Sequence, residues 1–282
     1  TTAMSGSNTP TISQYRHFFK DMHLPEPDSH KGQNGKVMII GGSELFHAAS
    51  KWSLDVASKF VDMVFYSSVP GNNDLIAEAK REFWNGIIVE RLESESYIDE
   101  ADVVLIGPGM DRSAETETLT NELVAKYPQK KWVIDAGALQ MIDPEIIPAT
   151  AVITPHHREL EMLENKGFNR QAAVERGVPI LIKGPVDEVQ YLDSNRVPAK
   201  QEILGGNAGM TKGGTGDVLA GLVAALYAIQ SAATAAIVGS VMNKAAGDSL
   251  YEKVGPYFNA SDLVDEVPKV LWKIIHDSQI AD

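Results

Sequence analysis

The chain of 282 residues carries 25 basic and 38 acidic side chains, a formal charge of −13, with 44% hydrophobic and 22% charged residues. A sequence pI near 5.0 leaves no surplus of Lys and Arg to neutralise phosphates, which argues against a general nucleic-acid binder. The absence of cysteine removes disulfides, thiolate metal sites and cysteine nucleophiles, and it fits a reducing cytoplasmic setting.

Residues 1–10 are small and polar and lack the basic-then-apolar order of a signal peptide. They open an expected polar arm over 1–29, ahead of a single domain over 30–282. Short β-branched runs at 37–40, 63–66, 103–106, 132–135, 151–154 and 179–183 predict strands. Several are apolar at consecutive positions, as expected where both faces of a sheet are covered. Helical patterns fill the intervals at 47–60, 114–126, 158–165 and 171–176. This alternation is the mark of parallel β-α-β units and a three-layer α/β domain.

The pattern changes after residue 183. Short strands at 188–192 and near 202–204, with no helix between them, predict an antiparallel edge. Helices then run over 217–229, 232–252 and 261–276. The uncharged stretch 218–242 has the length of a bilayer span. Its Ala and Gly content, and Ser231 as an N-cap, predict two buried helices instead.

Turns at the strand ends are rich in glycine: Gly41-Gly42-Ser43, Gly107-Pro108-Gly109, and Gly205 to Gly209. In open α/β sheets such loops converge on one crevice, although glycine also simply ends strands. The run Lys212-Gly213-Gly214-Thr215-Gly216-Asp217 is different in kind, because it leads straight into a long apolar helix. Successive N–H groups and the helix N-terminus can there face a phosphate, with Asp217 beside it. A carboxylate in a first helical turn can equally serve the helix alone. Other chemistries fail on spacing. The Gly35-Lys36 pair has His30 where a Walker loop needs glycine, Ser43 is not in a nucleophile elbow, and there is no HExxH.

The segment Gly206 to Gly221 resembles the signature of the ADP/ATP-dependent NAD(P)H-hydrate dehydratases, a branch of the ribokinase-like superfamily. Further blocks follow in that family's order: His30-Lys31-Gly32, Ile39 to Ser43, Ile106 to Gly109, Ile134-Asp135-Ala136 and Thr154-Pro155-His156 with Glu159. Leu181 to Gly184, Ala246-Gly247-Asp248 and Ala260-Ser261-Asp262-Leu263 complete a match over roughly residues 30–275.

The resemblance implies a ribokinase-like fold with a mostly parallel sheet, an antiparallel edge and helices on both faces. It also implies repair of hydrated NADH or NADPH, by phosphorylation of a ring hydroxyl at the expense of ADP or ATP and elimination of phosphate. Asp217 matches the catalytic base, and Ala49, Gly109 and His156 match positions that contact the substrate. Lys183, Gly184, Pro185, Val186, Asp187 and Gly216 match the stretch that holds the adenine nucleotide, with Gly214 and Thr215 in the anion loop. Mg²⁺ beside the nucleotide and a homo-oligomer, often a tetramer, are implied as well, but no residue identifies metal ligands.

Two of these residues carry a second reading. His156 can cap the helix that Glu159 joins, and Lys183 can neutralise a core carboxylate. The chain departs from the family pattern at Ala48 and Ser50, at Gly137 where a carboxylate is usual, at His157, around Met110-Asp111 and at Lys212. Lys212 adds a positive charge beside the anion loop. The same loops would serve a small-molecule hydroxymethyl or sugar kinase. They would also serve a non-catalytic nucleotide-binding relative, which the missing carboxylate at Gly137 favours and the retained Asp217 opposes.

Overall fold

A computed structural model describes residues 12–280. The 310 turn Ile12–Tyr15 runs into α1, Arg16–Lys20, and buries Tyr15 and Phe19 against the core. The Tyr15 hydroxyl donates to Glu202 O at 3.2 Å and accepts from Leu204 N at 3.0 Å. Residues 1–11 of the expected arm lie outside the described residues, as does the stretch read against a signal peptide.

The chain then alternates β1 Lys36–Ile40, α2 Ala48–Ala57, β2 Met63–Ser67, α3 Pro70–Ala79, β3 Ile87–Ile88, α4 Ser94–Glu100 and β4 Val103–Ile106. It continues through α5 Ala114–Lys126, β5 Lys131–Ile134, α6 Ala136–Met141, β6 Ala151–Ile153, α7 His157–Asn165, α8 Arg170–Glu175 and β7 Ile180–Ile182. The hairpin strands β8 Asp187–Leu192 and β9 Pro198–Ile203 precede α9 Thr215–Tyr227, α10 Ala232–Val254 and α11 Ala260–Ile280.

One sheet of order β3-β2-β1-β4-β5-β6-β7-β8-β9 results, parallel through β7 and antiparallel at β8 and β9. Alternate residues of the parallel strands feed two separate cores. Val37, Ile39, Val103 and Leu105 face α2, α9, α10 and α11, while Met38, Ile40, Val104 and Ile106 face the layer of α4 to α8. The consecutive apolar runs are therefore period-two patterns with both phases buried.

The uncharged stretch is two helices: α9 ends at Tyr227, and Ser231 caps α10 by accepting from Thr234 N. Both are largely buried inside this chain, where α9 packs against α2 and α10. No helix among the described residues is long and apolar enough to cross a membrane. Five of the labelled elements lie beyond the expected set: α1, within the expected polar arm, and α3, β3, α4 and α6. The edge strand β9 begins at Pro198, ahead of the expected residue 202, because its outward Lys200 and Glu202 make it look like a loop.

Helices α2 and α9 approach closely at Gly221, where an added Cβ would lie 2.6 Å from Ser53 O and 2.7 Å from Val56 Cγ1. Gly221→Ala is expected to lower the free energy of unfolding by about 1–3 kcal/mol despite alanine's better helix propensity. An unchanged or higher urea midpoint would show that the two backbones do not meet there.

Candidate active site

Parallel strands deliver Gly41-Gly42, Gly107-Pro108-Gly109, Asp135, Thr154-Pro155-His156 and Lys183-Gly184 to one edge of the sheet. The strand order reverses between β1 and β4, and that is where an open α/β sheet leaves a crevice. There Gly42 N donates to Pro108 O at 2.7 Å. A Cβ on Gly109 would lie 3.0 Å from the Cβ of Ala49, so these two expected substrate positions are neighbours.

The anion loop closes at the head of α9. Gly214 has φ +100°, and a Cβ on it would lie 2.4 Å from the Trp52 ring and 2.8 Å from Ala260 Cβ. Only glycine meets both demands. The Thr215 hydroxyl donates to Met210 O at 2.8 Å and Lys212 O at 3.2 Å, which ties the loop to itself. The first-turn N–H groups of Thr215, Gly216 and Asp217 lack intrahelical acceptors, and the helix dipole adds positive charge in front of them.

A cleft of about 740 Å³ opens between this helix end, the β7–β8 turn and α10. His156, Lys183, Gly184, Pro185, Asp187, Thr215 and Gly216 line it. Val186, between them in the turn, does not line it and is 41% exposed. Asp187 is 5% exposed and accepts from Gly184 N at 2.9 Å and Ser240 Oγ at 2.7 Å, so its carboxylate pins the turn.

Charge is concentrated at the head of the cleft. Asp135 is 1% exposed and accepts from Thr154 Oγ1 and from Lys183 Nζ, both at 2.8 Å. Lys183 therefore does neutralise a core carboxylate, yet its ammonium still lines the cleft and would lie 3.8 Å from a Cβ on Gly216. Burial alone would lower the Lys183 pKa, but Asp135, Glu159 and Asp217 together turn the shift upward. Asp217, half-buried in the first turn of α9, is pushed up to about 7 by burial and then by the charge of Asp135, with Lys183 opposing. A carboxyl with that value exchanges protons at neutral pH.

His156 fulfils the capping reading. Its Nδ1 accepts from Glu159 N at 3.1 Å, and the Glu159 carboxylate accepts from His156 N at 2.9 Å. With Nδ1 engaged as an acceptor, the neutral ring carries its proton on Nε2, and the side chain is 49% exposed at the cleft.

Lys244 on α10 was not singled out in the sequence. Its ammonium is buried and donates to Gly184 O at 3.2 Å, Pro185 O at 3.1 Å and Gly205 O at 3.3 Å, joining the two turns that flank the cleft. The available signal was a lysine ending the uncharged run 218–243. Asp248 of the Ala-Gly-Asp block accepts from Gly206 N at 3.0 Å and Asn207 Nδ2 at 3.1 Å, so that block holds the glycine loop in place.

Two of the departures touch each other. A Cβ on Gly137 would lie 2.1 Å from Met110 O, so this backbone has no room for a longer residue at 137. Lys212 turns away from the anion loop, with its ammonium on Pro256 O and 5.5 Å from the centre of the Phe258 ring. The added positive charge expected beside the phosphate position is directed elsewhere.

The Asp217 carboxyl is expected to titrate near 7 in carbon-13-labelled protein, and Asp135→Asn to shift it downward. Folded Asp217 holds its proton where the unfolded chain has lost it. Its ionisation therefore costs stability above about 7, and the cost disappears as pH falls toward 3.8. Asp217→Asn should accordingly unfold at a higher temperature than the parent at pH 8. A carboxyl titrating near 4 would remove the electrostatic account.

The sequence profile of the NAD(P)H-hydrate dehydratase family matches residues 37–269. An ADP-dependent (S)-NAD(P)H-hydrate dehydratase from Cenarchaeum symbiosum is 33% identical over 86% of this chain and 91% of its own length. The bifunctional NAD(P)H-hydrate repair enzyme Nnr of Methanocaldococcus jannaschii is 36% identical over 89% of this chain. The chain spans about half the length of that relative and of several like it, 51% in the first case. Among solved structures, an ADP/ATP-dependent NAD(P)H-hydrate dehydratase from Bacillus subtilis, co-crystallised with ATP/Mg²⁺, superposes with a TM-score of 0.71 at 18% identity. That alignment covers 96% of this chain and all of the other. A ribokinase-like superfamily protein from Enterococcus faecalis gives 0.76 at 22% identity, covering 92% and 94%. These two establish a ribokinase-like fold.

Proposed function

The chain belongs to the NAD(P)H-hydrate dehydratase family, and from that premise we propose that it converts hydrated NADH or NADPH back to the reduced cofactor at the expense of ADP or ATP. The observation that carries this reading is Asp217, pushed up to about 7 beside the free amides at the head of α9. A nucleotide phosphate and a proton acceptor are needed at one point, and these residues meet there.

In this mechanism the ionised Asp217 takes the proton of the ring hydroxyl as its oxygen attacks the terminal phosphoryl group of the nucleotide. The bond from that phosphorus to the nucleotide's bridging oxygen breaks, and the nucleotide leaves one phosphate shorter. The Gly214–Gly216 amides face the charge that develops on the transferring group. Phosphate then departs from the ring with the C–O electrons, the adjacent carbon loses a proton, and the double bond of NAD(P)H returns. Lys183 offers its ammonium to the nucleotide phosphates while Asp135 holds that ammonium in place. Ala49, Gly109 and the Nε2–H of His156 face the hydrated ring. Gly184, Pro185 and the Asp187-pinned turn hold the nucleotide, with Val186 contributing main chain only.

The described residues contain no cluster of three or more acidic or histidine side chains fit to hold a metal. Bound Mg²⁺ would therefore be held through the nucleotide phosphates and water rather than by a side-chain ligand set, and would supply charge neutralisation there. A homo-oligomer, tetrameric in the family pattern, belongs to the same proposal, as does a cytoplasmic setting. Exposed Leu75, Trp84, Ile87 and Leu92 around the β3 edge support self-association.

Incubation with hydrated NADH and ADP should restore the absorbance of reduced cofactor and release inorganic phosphate. A stable phosphoester product would identify a kinase instead. Asp217→Ala is expected to lower turnover by about 10²–10⁴-fold while nucleotide still binds; unchanged activity would remove the assigned base. Lys244→Met should weaken nucleotide binding about tenfold by freeing the Gly184 and Gly205 turns, and calorimetric affinity equal to the parent's would contradict its clamping role.

A further inference from the structure

At the carboxyl end of β2 the chain passes through Ser67 and Ser68 into α3, whose inward side chains are polar. Asn72 is 0% and Asn73 3% exposed. Asn73 closes on the Ser68 main chain, accepting from its N–H at 2.9 Å and donating to its carbonyl at 3.2 Å. Asn72 donates to Ser68 Oγ at 2.9 Å and to the Tyr66 hydroxyl at 3.2 Å, and that hydroxyl is hydrogen-bonded to Ser50 Oγ at 2.7 Å. Arg91, just past β3, joins the group and donates from Nη2 to Gly41 O at 3.2 Å.

This guanidinium has no partner of opposite sign: no ion pair among the described residues includes Arg91. Burial pushes its pKa down to about 10, with only Tyr66 opposing. Its Nε, together with Ser67 Oγ and Asn72 Oδ1, is buried without a hydrogen-bond partner. A cation largely removed from water and left without a counter-charge is a standing cost, which an anionic ligand would relieve.

Its place in the site is specific. Arg91 lies against the Gly41 turn, at the point where the strand order reverses. Ser50 and Ser53 are one turn apart on α2; Ser50 bonds Tyr66 of the Arg91 group, while Ser53 Oγ donates to Asp217 O at 2.7 Å. Arg91 thus lies across α2 from the catalytic end of α9, on the Gly41 turn that packs against Ser50, and on the side of the sheet away from the nucleotide cleft.

We propose that Arg91, backed by Ser67 and Asn72, is the anion-binding residue of the substrate half of the site, taking a phosphate group of the hydrated dinucleotide. This inference rests on the dehydratase reading. The hydrated ring is uncharged, so the anions available to Arg91 are the pyrophosphate bridge and, in the NADPH form, the 2′-phosphate. The planar guanidinium suits either, as phosphate oxygens match its fork.

The test compares the parent with Arg91→Met and Arg91→Lys in two ways: KM for hydrated NADH and hydrated NADPH at saturating ADP, and calorimetric binding of inorganic pyrophosphate and NADPH. Arg91→Met is expected to raise KM about 10- to 100-fold with kcat retained, and to lose the anion binding seen in the parent. A rise for both substrates assigns the pyrophosphate, and a rise for hydrated NADPH alone assigns the 2′-phosphate. Unchanged KM and unchanged anion binding would overturn the proposal and leave the dehydratase reading standing. If neither hydrate is consumed by the parent, the dehydratase reading fails, while Arg91-dependent pyrophosphate binding still decides the site. Should Arg91→Met not fold, the charge-keeping Arg91→Lys carries the test: raised KM with retained kcat supports a phosphate fork, and a parental KM reduces Arg91 to a brace for Gly41.

Discussion

Two carboxylates and one ammonium act on one another where the carboxyl edge of the sheet meets the first turn of α9, and what the site can do follows from how unequally they are placed. Asp135 is buried and holds Lys183 by a direct ion pair. Asp217 has neither partner to itself: it feels burial first, then repulsion from Asp135, and only partial relief from Lys183. Proteins tolerate such an arrangement at a point where a proton must move, because an ordinary carboxylate near 4 is too weak a base for a hydroxyl. On the proposed reading, the stability lost to an ionised Asp217 is the counterpart of the base strength that a hydroxyl proton requires.

The rest of the fold keeps this arrangement still. Helix α9 can present its amides because Gly214 admits the Trp52 ring and Ala260 at the turn, and because Gly221 lets α2 come close beneath. Ser53 then fixes the first turn of α9 through the Asp217 carbonyl. On the other wall, the Lys244 ammonium ties three carbonyls from two turns, and Asp248 holds the glycine loop. Charged groups here are used as braces as often as for chemistry, which is why Asp187 and Lys212, both near the cleft, face protein rather than ligand.

Much of this was legible from residue order. The parallel strands announced themselves because both of their faces are covered, and Ser231 marked the break between α9 and α10. Elements with a polar interior or a polar edge did not. Helix α3 turns Asn72 and Asn73 inward, β3 is two residues long, and β9 carries charge on its outer face. The glycine loops and Asp217 were visible as local patterns. The pairing of Lys183 with Asp135 was not, since it joins residues 48 positions apart, and the pKa of Asp217 depends on that pairing. Lys244 and Arg91 share that difficulty: each is a lone cation in its segment, and only the folded chain shows what surrounds it.

The most direct measurement is a crystal structure with an adenine nucleotide and NADPH bound together. The terminal phosphate of the nucleotide is expected on the Gly214–Gly216 amides, with the nicotinamide ring within hydrogen-bond reach of the Asp217 carboxylate. A nucleotide phosphate seated anywhere else, or a ring on the far side of α9 from Asp217, would contradict that arrangement.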